Sequence, residues 1–251
     1  KIKFRFRYDT KQTHSSDQIG LFLKEVLIGN NIDPLKISDI AISSVVPDLN
    51  YSVRAACVKY FNLEPLFLQA GVKTGLKIKT KHPSDVGSDL IAGAMGASFI
   101  YPNQALLIVD LGTATTIAVV NSKGEYLGTV IMPGFKTSME ALKNNTAQLP
   151  SVSIVKPKDT IGKATKESIQ IGLYYMQYAA LKELTVQIKS QYFPNEDIKI
   201  VGTGGFVRLF DKAVLFDDIR PDLVLEGLFV CLKRNRESVY TPRERKKERE
   251  R

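Results

Sequence analysis

Three short stretches hold the residue types that phosphate and proton chemistry use. The first is Asp110-Leu111-Gly112-Thr113-Ala114-Thr115-Thr116, which follows the apolar run Ala105–Val109. Asp110 stands where a buried strand should end, and a carboxylate there can hold a cation or its water shell. Gly112 lets the backbone bend or approach a ligand, while backbone N–H groups and the hydroxyls of Thr113 and Thr115 can cradle phosphate oxygens without adding negative charge. The same residues also suit an ordinary hairpin with a polar turn. The second stretch is Gly87-Ser88-Asp89, ahead of a segment rich in Ala and Gly. Asp89 is either a helix-start carboxylate stabilised by the helix dipole or a general base aimed at a substrate hydroxyl. The third, Thr203-Gly204-Gly205, is either a simple strand–helix turn or a place where an adenosine lies close to backbone.

These stretches need elements to position them. Ile2, Phe4, Phe6 and Tyr8 alternate with basic residues, which predicts a half-buried strand. Ser15-Ser16-Asp17 predicts the start of a helix through Ile28, closed by Gly29-Asn30-Asn31. A strand over Ile40–Val46, stopped by Pro47, a helix over Asn50–Phe61 and a short strand at Leu66–Leu68 follow. Gly71–Lys81 reads as a basic surface loop or a flap near an anionic ligand. A helix over Asp89–Phe99 has small residues at Ala92, Gly93, Gly96 and Ala97, allowing close backbone approach. After the Asp110 hairpin come a strand over Glu125–Met132, a helix over Thr137–Asn144 and a long helix from Thr160 to Ser190. The long helix carries Ile169, Leu173, Met176, Ala180 and Leu184 as an apolar stripe, expected in the core or in a dimer interface. A strand at Ile198–Val201 and a helix at Asp222–Leu232 complete the series.

The 251 residues are 44% hydrophobic and 24% charged, values typical of a globular protein. No apolar run reaches the ~20 residues that span a bilayer, and a cytoplasmic location is expected. Cys57 and Cys231 lie in apolar helical contexts and read as core thiols, and His14 and His82 are isolated. Of the net charge of +9, the segment Lys233–Arg251 supplies +5, through nine basic and four acidic residues. Its end, Arg243–Arg251, reads as a solvated helix or a disordered end; the interleaved Glu residues and the lack of aromatics argue against a nucleic-acid partner.

D-L-G-T-A-T-T is similar to the second phosphate motif of the type III pantothenate kinases, in the acetate kinase, sugar kinase, Hsp70 and actin superfamily. Ser44-Val45-Val46-Pro47, Gly87-Ser88-Asp89, Pro133-Gly134, Thr146–Pro150, Thr203-Gly204-Gly205 and Asp222–Leu228 agree in order and spacing. The resemblance spans residues 1–232 and implies an α/β fold of two duplicated ribonuclease-H-like halves with a cleft between them, 1–103 and 104–232, followed by a basic charged tail, 233–251. The family opens on a hairpin carrying D-x-G-N-T, which residues 1–103 do not contain; it was either lost from this protein or lies outside this stretch of sequence. The resemblance implies transfer of phosphate from ATP with Mg²⁺ to pantothenate, the first step of coenzyme A biosynthesis. Asp89 would be the catalytic base, and Gly87, Ser88, Leu90 and Thr165 would meet the substrate. Gly112, Thr113, Thr115, Gly204 and Gly205 would bind ATP. Asp110 would hold a monovalent cation, potassium or ammonium. Thr165 would serve a neighbouring protomer of a homodimer. The chain departs from the family at Leu90, where the family has a substrate-binding Arg, at Thr80, where it has an aromatic, and at Thr129, where it has a second glycine. A catalytically impaired homologue acting as a binding or regulatory protein is the alternative, supported by Leu90, Thr80 and the missing D-x-G-N-T hairpin.

Overall fold

The computed structural model describes residues 2–9, 14–210 and 215–240. The charged end expected at Arg243–Arg251 lies outside these residues, as do Lys1 and residues 10–13. The chain is α/β, and its backbone divides into two compact units. One comprises residues 1–74, 84–92 and 228–251, the other residues 75–83 and 93–227.

In the first unit, α1 (Ser16–Gly29) begins at a capping box in which the Ser15 hydroxyl accepts from the Gln18 N–H and Gln18 Oε1 accepts from the Ser15 N–H. Helix α2 (Pro47–Phe61) has Pro47 in its first turn and closes on Asn62 in a left-handed conformation, φ 54°. Between the helices, β1 (Ala41–Ile42) pairs in parallel with β2 (Leu66–Phe67). The longer strand expected over Ile40–Val46 stops at Ile42 because serine side chains take the backbone bonds that follow. Ser44 Oγ accepts from the Val46 N–H and donates to the Val46 carbonyl. The strand expected over Lys1–Tyr8 is not formed by Ile2–Asp9. Its aromatic alternation serves ring packing instead: Tyr8 stacks on Phe22 of α1 at 4.0 Å, and Phe6 meets the same ring edge-on at 5.7 Å.

The second unit is built on a six-stranded sheet in the order β3-β6-β5-β4-β7-β8. The central strands are β4 (Ala105–Leu111), β5 (Ala114–Val120), β6 (Glu125–Pro133) and β7 (Ile198–Thr203). β4 runs antiparallel to β5 and parallel to β7. Two-residue strands flank them, β3 (Lys77–Ile78) beside β6 and β8 (Asp218–Ile219) beside β7. The segment expected as a basic loop thus contributes an edge strand, with the Lys77 N–H on the Gly124 carbonyl and the Lys79 N–H on that of Tyr126. On the β7 side, the Asp217 carboxylate accepts from the Ile200 N–H at 2.7 Å, next to β8.

Alternate residues of β4 and β5, from Ala105 to Leu111 and at Ile117 and Val119, face one core with α4 (Phe135–Asn144) and α5 (Thr165–Tyr192). The buried row of α5 is Ile169, Leu173, Gln177, Leu181 and Ile188. It differs from the expected stripe, whose Met176 is 47% exposed. Helix α3 (Ser88–Ile100) lies against α6 (Leu223–Tyr240) at Gly96, where an added Cβ would stand 2.5 Å from the Leu223 carbonyl oxygen. Both cysteines are buried and free.

Candidate active site

The turn between β4 and β5 is held by hydrogen bonds at both of its residues. The Gly112 N–H donates to the Ala114 carbonyl at 3.1 Å, closing the turn, and Thr113 stands exposed at its tip. The Thr113 carbonyl accepts twice, from the Gly134 N–H at 3.1 Å and from the Thr137 hydroxyl at 2.9 Å. Gly134 packs flat against the turn: an added Cβ would lie 2.3 Å from the Thr113 carbonyl oxygen and 2.6 Å from that of Gly112. No other residue fits that approach. The carbonyl of Thr113 is thereby tied down on the protein side, and its hydroxyl is left to solvent.

Asp110 sits at the root of the turn, half-buried, paired in register with Thr116 of β5 and Thr203 of β7. Side chains paired across strands share a face, so a carboxylate is flanked by two threonines. The Thr116 hydroxyl is buried without a hydrogen-bond partner. Gly204 follows with φ +90°, and an added Cβ there would stand 2.4 Å from Asp110 Oδ1. Gly205 beside it is exposed. The helix expected after these glycines is a single 3-10 turn, Val207–Leu209. Thr115 is fully buried, and by alternation its side chain points to the α4–α5 core, away from Asp110. Hard oxygen donors around a carboxylate are the donor set of an alkali or alkaline-earth cation. Among the described residues, no group of three or more His, Cys, Asp and Glu side chains could hold a metal.

In the first unit, Gly87-Ser88-Asp89 opens α3. The Gly87 carbonyl accepts from the Ile91 N–H at 3.1 Å. The Ser88 hydroxyl donates to the Ser44 carbonyl at 3.0 Å and lies 2.8 Å from the Ser43 hydroxyl, which therefore acts as the donor to it. This short relay fixes the start of α3 on the segment after β1. Asp89 is exposed, with Oδ1 accepting from the Leu90 N–H at 2.8 Å, and Leu90 is half-buried.

Thr165 lies in the second unit as the first residue of α5, exposed, where Glu167 folds back onto the Lys163 N–H. It lines an apolar groove of about 780 Å³ together with Pro133, Thr137, Leu142, Ile169 and Met176. The sequence assigns no role in the site to Thr137, nor to Thr116 beyond its place in the Asp110 stretch. Thr137 could have been sought from its place in the first turn after Pro133-Gly134, and Thr116 from its register with Asp110.

A model of the family described as type III pantothenate kinase matches residues 1–187. A type III pantothenate kinase of Legionella pneumophila (strain Paris) is 49% identical over 235 residues, covering 94% of this chain and 91% of that protein. One of Elusimicrobium minutum (strain Pei191) is 43% identical over 235 residues, with the same two coverages. The chain belongs to the type III pantothenate kinase family. The crystal structure of a Baf family transcriptional activator from Campylobacter jejuni matches it with a TM-score of 0.51 at 18% identity, over 80% of this chain and 85% of that one, and shows a shared fold. Against this family background, the α/β class expected from the sequence is the class found. No helix of the described residues is long and apolar enough to cross a membrane.

Proposed function

We propose that this protein phosphorylates pantothenate to 4'-phosphopantothenate at the expense of ATP, with Mg²⁺ carried by the nucleotide, as the first step of coenzyme A biosynthesis. The observation that carries this reading beyond family membership is the β4–β5 turn. Its Thr113 carbonyl is held by two hydrogen bonds, and its exposed hydroxyl is free to meet phosphate oxygens. Gly112 and Thr113 bind phosphate in this reading; Thr115 supports the turn from inside the core. Gly204 and Gly205 lie against the adenosine.

Asp110, Thr116 and Thr203 form the donor set for a potassium or ammonium ion. The unpartnered Thr116 hydroxyl fits such an ion, which would offset phosphate charge. Asp89, exposed at the head of α3, takes the proton of the substrate's primary hydroxyl. Phosphoryl transfer has a loose transition state, so positioning and charge compensation matter more than strong basicity. Thr165, exposed at the head of α5, meets pantothenate in a homodimer whose partner covers the apolar groove. We further propose that the two ribonuclease-H-like halves fall at 1–103 and 104–232.

Asp89→Asn tests the reading. Turnover of pantothenate should fall by about 10²–10⁴-fold, the usual worth of a positioned base, while ATP affinity stays at the wild-type value. Undiminished turnover would remove Asp89 from the mechanism. Asp110→Asn should abolish the dependence of activity on potassium; an unchanged potassium response would move the cation elsewhere.

A further inference from the structure

Gln177 is 2% exposed and stands in the middle of the buried row of α5, between Leu173 and Leu181. The rest of that row is apolar, and a Leu would fill the position without the cost of burying an amide. The amide makes one hydrogen bond, from Nε2 to the Pro133 carbonyl at 2.6 Å, and Oε1 is buried without a partner. A polar group kept in a core at that cost needs a compensating use.

The use follows from what lies across the bonded peptide. The Pro133 carbonyl and the Gly134 N–H belong to one rigid, planar group. Its carbonyl takes the Gln177 bond, and its N–H donates to the Thr113 carbonyl at 3.1 Å. The plane is pressed against the Gly112–Thr113 turn closely enough to exclude a side chain at residue 134. A hydrogen-bonded chain thus runs from Gln177 through one peptide to Thr113, and each bond in such a chain polarises the next. The Thr137 hydroxyl adds a second bond to the same Thr113 carbonyl. We infer that Gln177 is a positioning residue for nucleotide binding: through the Pro133–Gly134 peptide it fixes the turn that presents Gly112 and Thr113 to phosphate. This inference rests on the kinase reading, because it takes that turn to be the phosphate site.

The test is an ATP titration by calorimetry together with steady-state kinetics, on wild type, Gln177→Met and Gln177→Glu. Methionine keeps the volume and loses the donor, so ATP affinity should fall about five- to tenfold, the worth of one buried hydrogen bond. KM for ATP should rise in step, with kcat at saturating ATP preserved, because ground-state and transition-state binding are lost together. A merely structural role would instead lower the active fraction and leave KM alone. The Glu variant keeps the test open if methionine does not fold. Burial favours its neutral form, whose O–H can donate to the Pro133 carbonyl, and the ionised form cannot. Its ATP affinity relative to wild type should therefore approach one at acidic pH and decline as pH rises. Wild-type ATP affinity in a folded Gln177→Met protein, or a Gln177→Glu ratio that stays at one across pH, would overturn the inference. Wild type that binds no ATP would instead overturn the kinase reading and this inference with it.

Discussion

Asp89 and Leu90 show how much one side chain can decide. Asp89 is exposed at the head of α3, and the next residue is an apolar, half-buried Leu, at the position where the resemblance to the family implies an Arg. Pantothenate carries a carboxylate, and a guanidinium can bind it through two parallel charge-assisted hydrogen bonds. Leu90→Arg should raise pantothenate affinity about ten- to a hundredfold, since bonds to charged groups contribute roughly 1.5–3 kcal/mol. Calorimetric titration with an ATP analogue present measures it. No gain in a folded, equally stable variant would mean that the pocket accepts a different substrate. A loss of stability would mean that residue 90 faces the core, where an unpaired guanidinium is costly. At this scale the sequence is informative where chemistry needs rare combinations. Asp110 before Gly112 and Thr113, and Asp89 behind Gly87 and Ser88, could be singled out by type and spacing alone. Gln177 could not. It is a single amide within an apolar helix face, and its partner is a backbone carbonyl, which leaves no trace in side-chain patterns.

The elements obey the same division. Strands β4 to β7 and helices α1 to α5 stand close to where periodicity and caps place them, because burial on a large sheet enforces the pattern. The failures occur where few backbone bonds define the element. β3 is two residues long, anchored by the Gly124 and Tyr126 carbonyls, and sits in a run of Lys and Gly that signals a loop. Ile2–Tyr8 has strand alternation but spends its aromatic rings on α1. The buried row of α5 lies one position from the expected stripe near its middle, because Gln177 interrupts the row and the neighbouring Met176 continues an apolar pattern. The small residues of α3 give the expected close backbone approach at Gly96. Gly96→Ala should cost about 1–3 kcal/mol of stability, since the new methyl meets the Leu223 carbonyl and the Gly227 N–H, backbone atoms that cannot turn aside. Chemical denaturation of the variant measures it, and an unchanged midpoint would mean that α6 shifts freely along α3.

At the scale of the molecule, stability should weaken at alkaline pH, and Tyr101 is one of the groups through which it does, alongside Cys57, whose buried thiol is pushed from 9.0 up to about 11. Tyr101, just past α3, donates to the Asp218 carboxylate of β8 and lies under the Lys199 ammonium, 4.6 Å from its ring centre. Burial, and then the bond to Asp218, push its hydroxyl from 10.0 up to about 12. The folded state therefore holds this proton more tightly than the unfolded chain does. Its contribution is complete below about pH 10 and is lost as pH rises toward 12, where only the unfolded chain is already ionised. Tyr101→Phe should flatten the fall in stability over that interval, as measured by denaturant midpoints at successive pH values; an identical slope in the two proteins would place the alkaline loss elsewhere. The same corner of the sheet has a second consequence. A carboxylate, that of Asp217, occupies the Ile200 N–H where a further strand would have to bond, and β8 beside it is only two residues long. A foreign strand approaching this rim finds a negative charge in the place of an open donor. The Ile200 N–H is therefore not an open donor for edge-to-edge pairing on this side of β7.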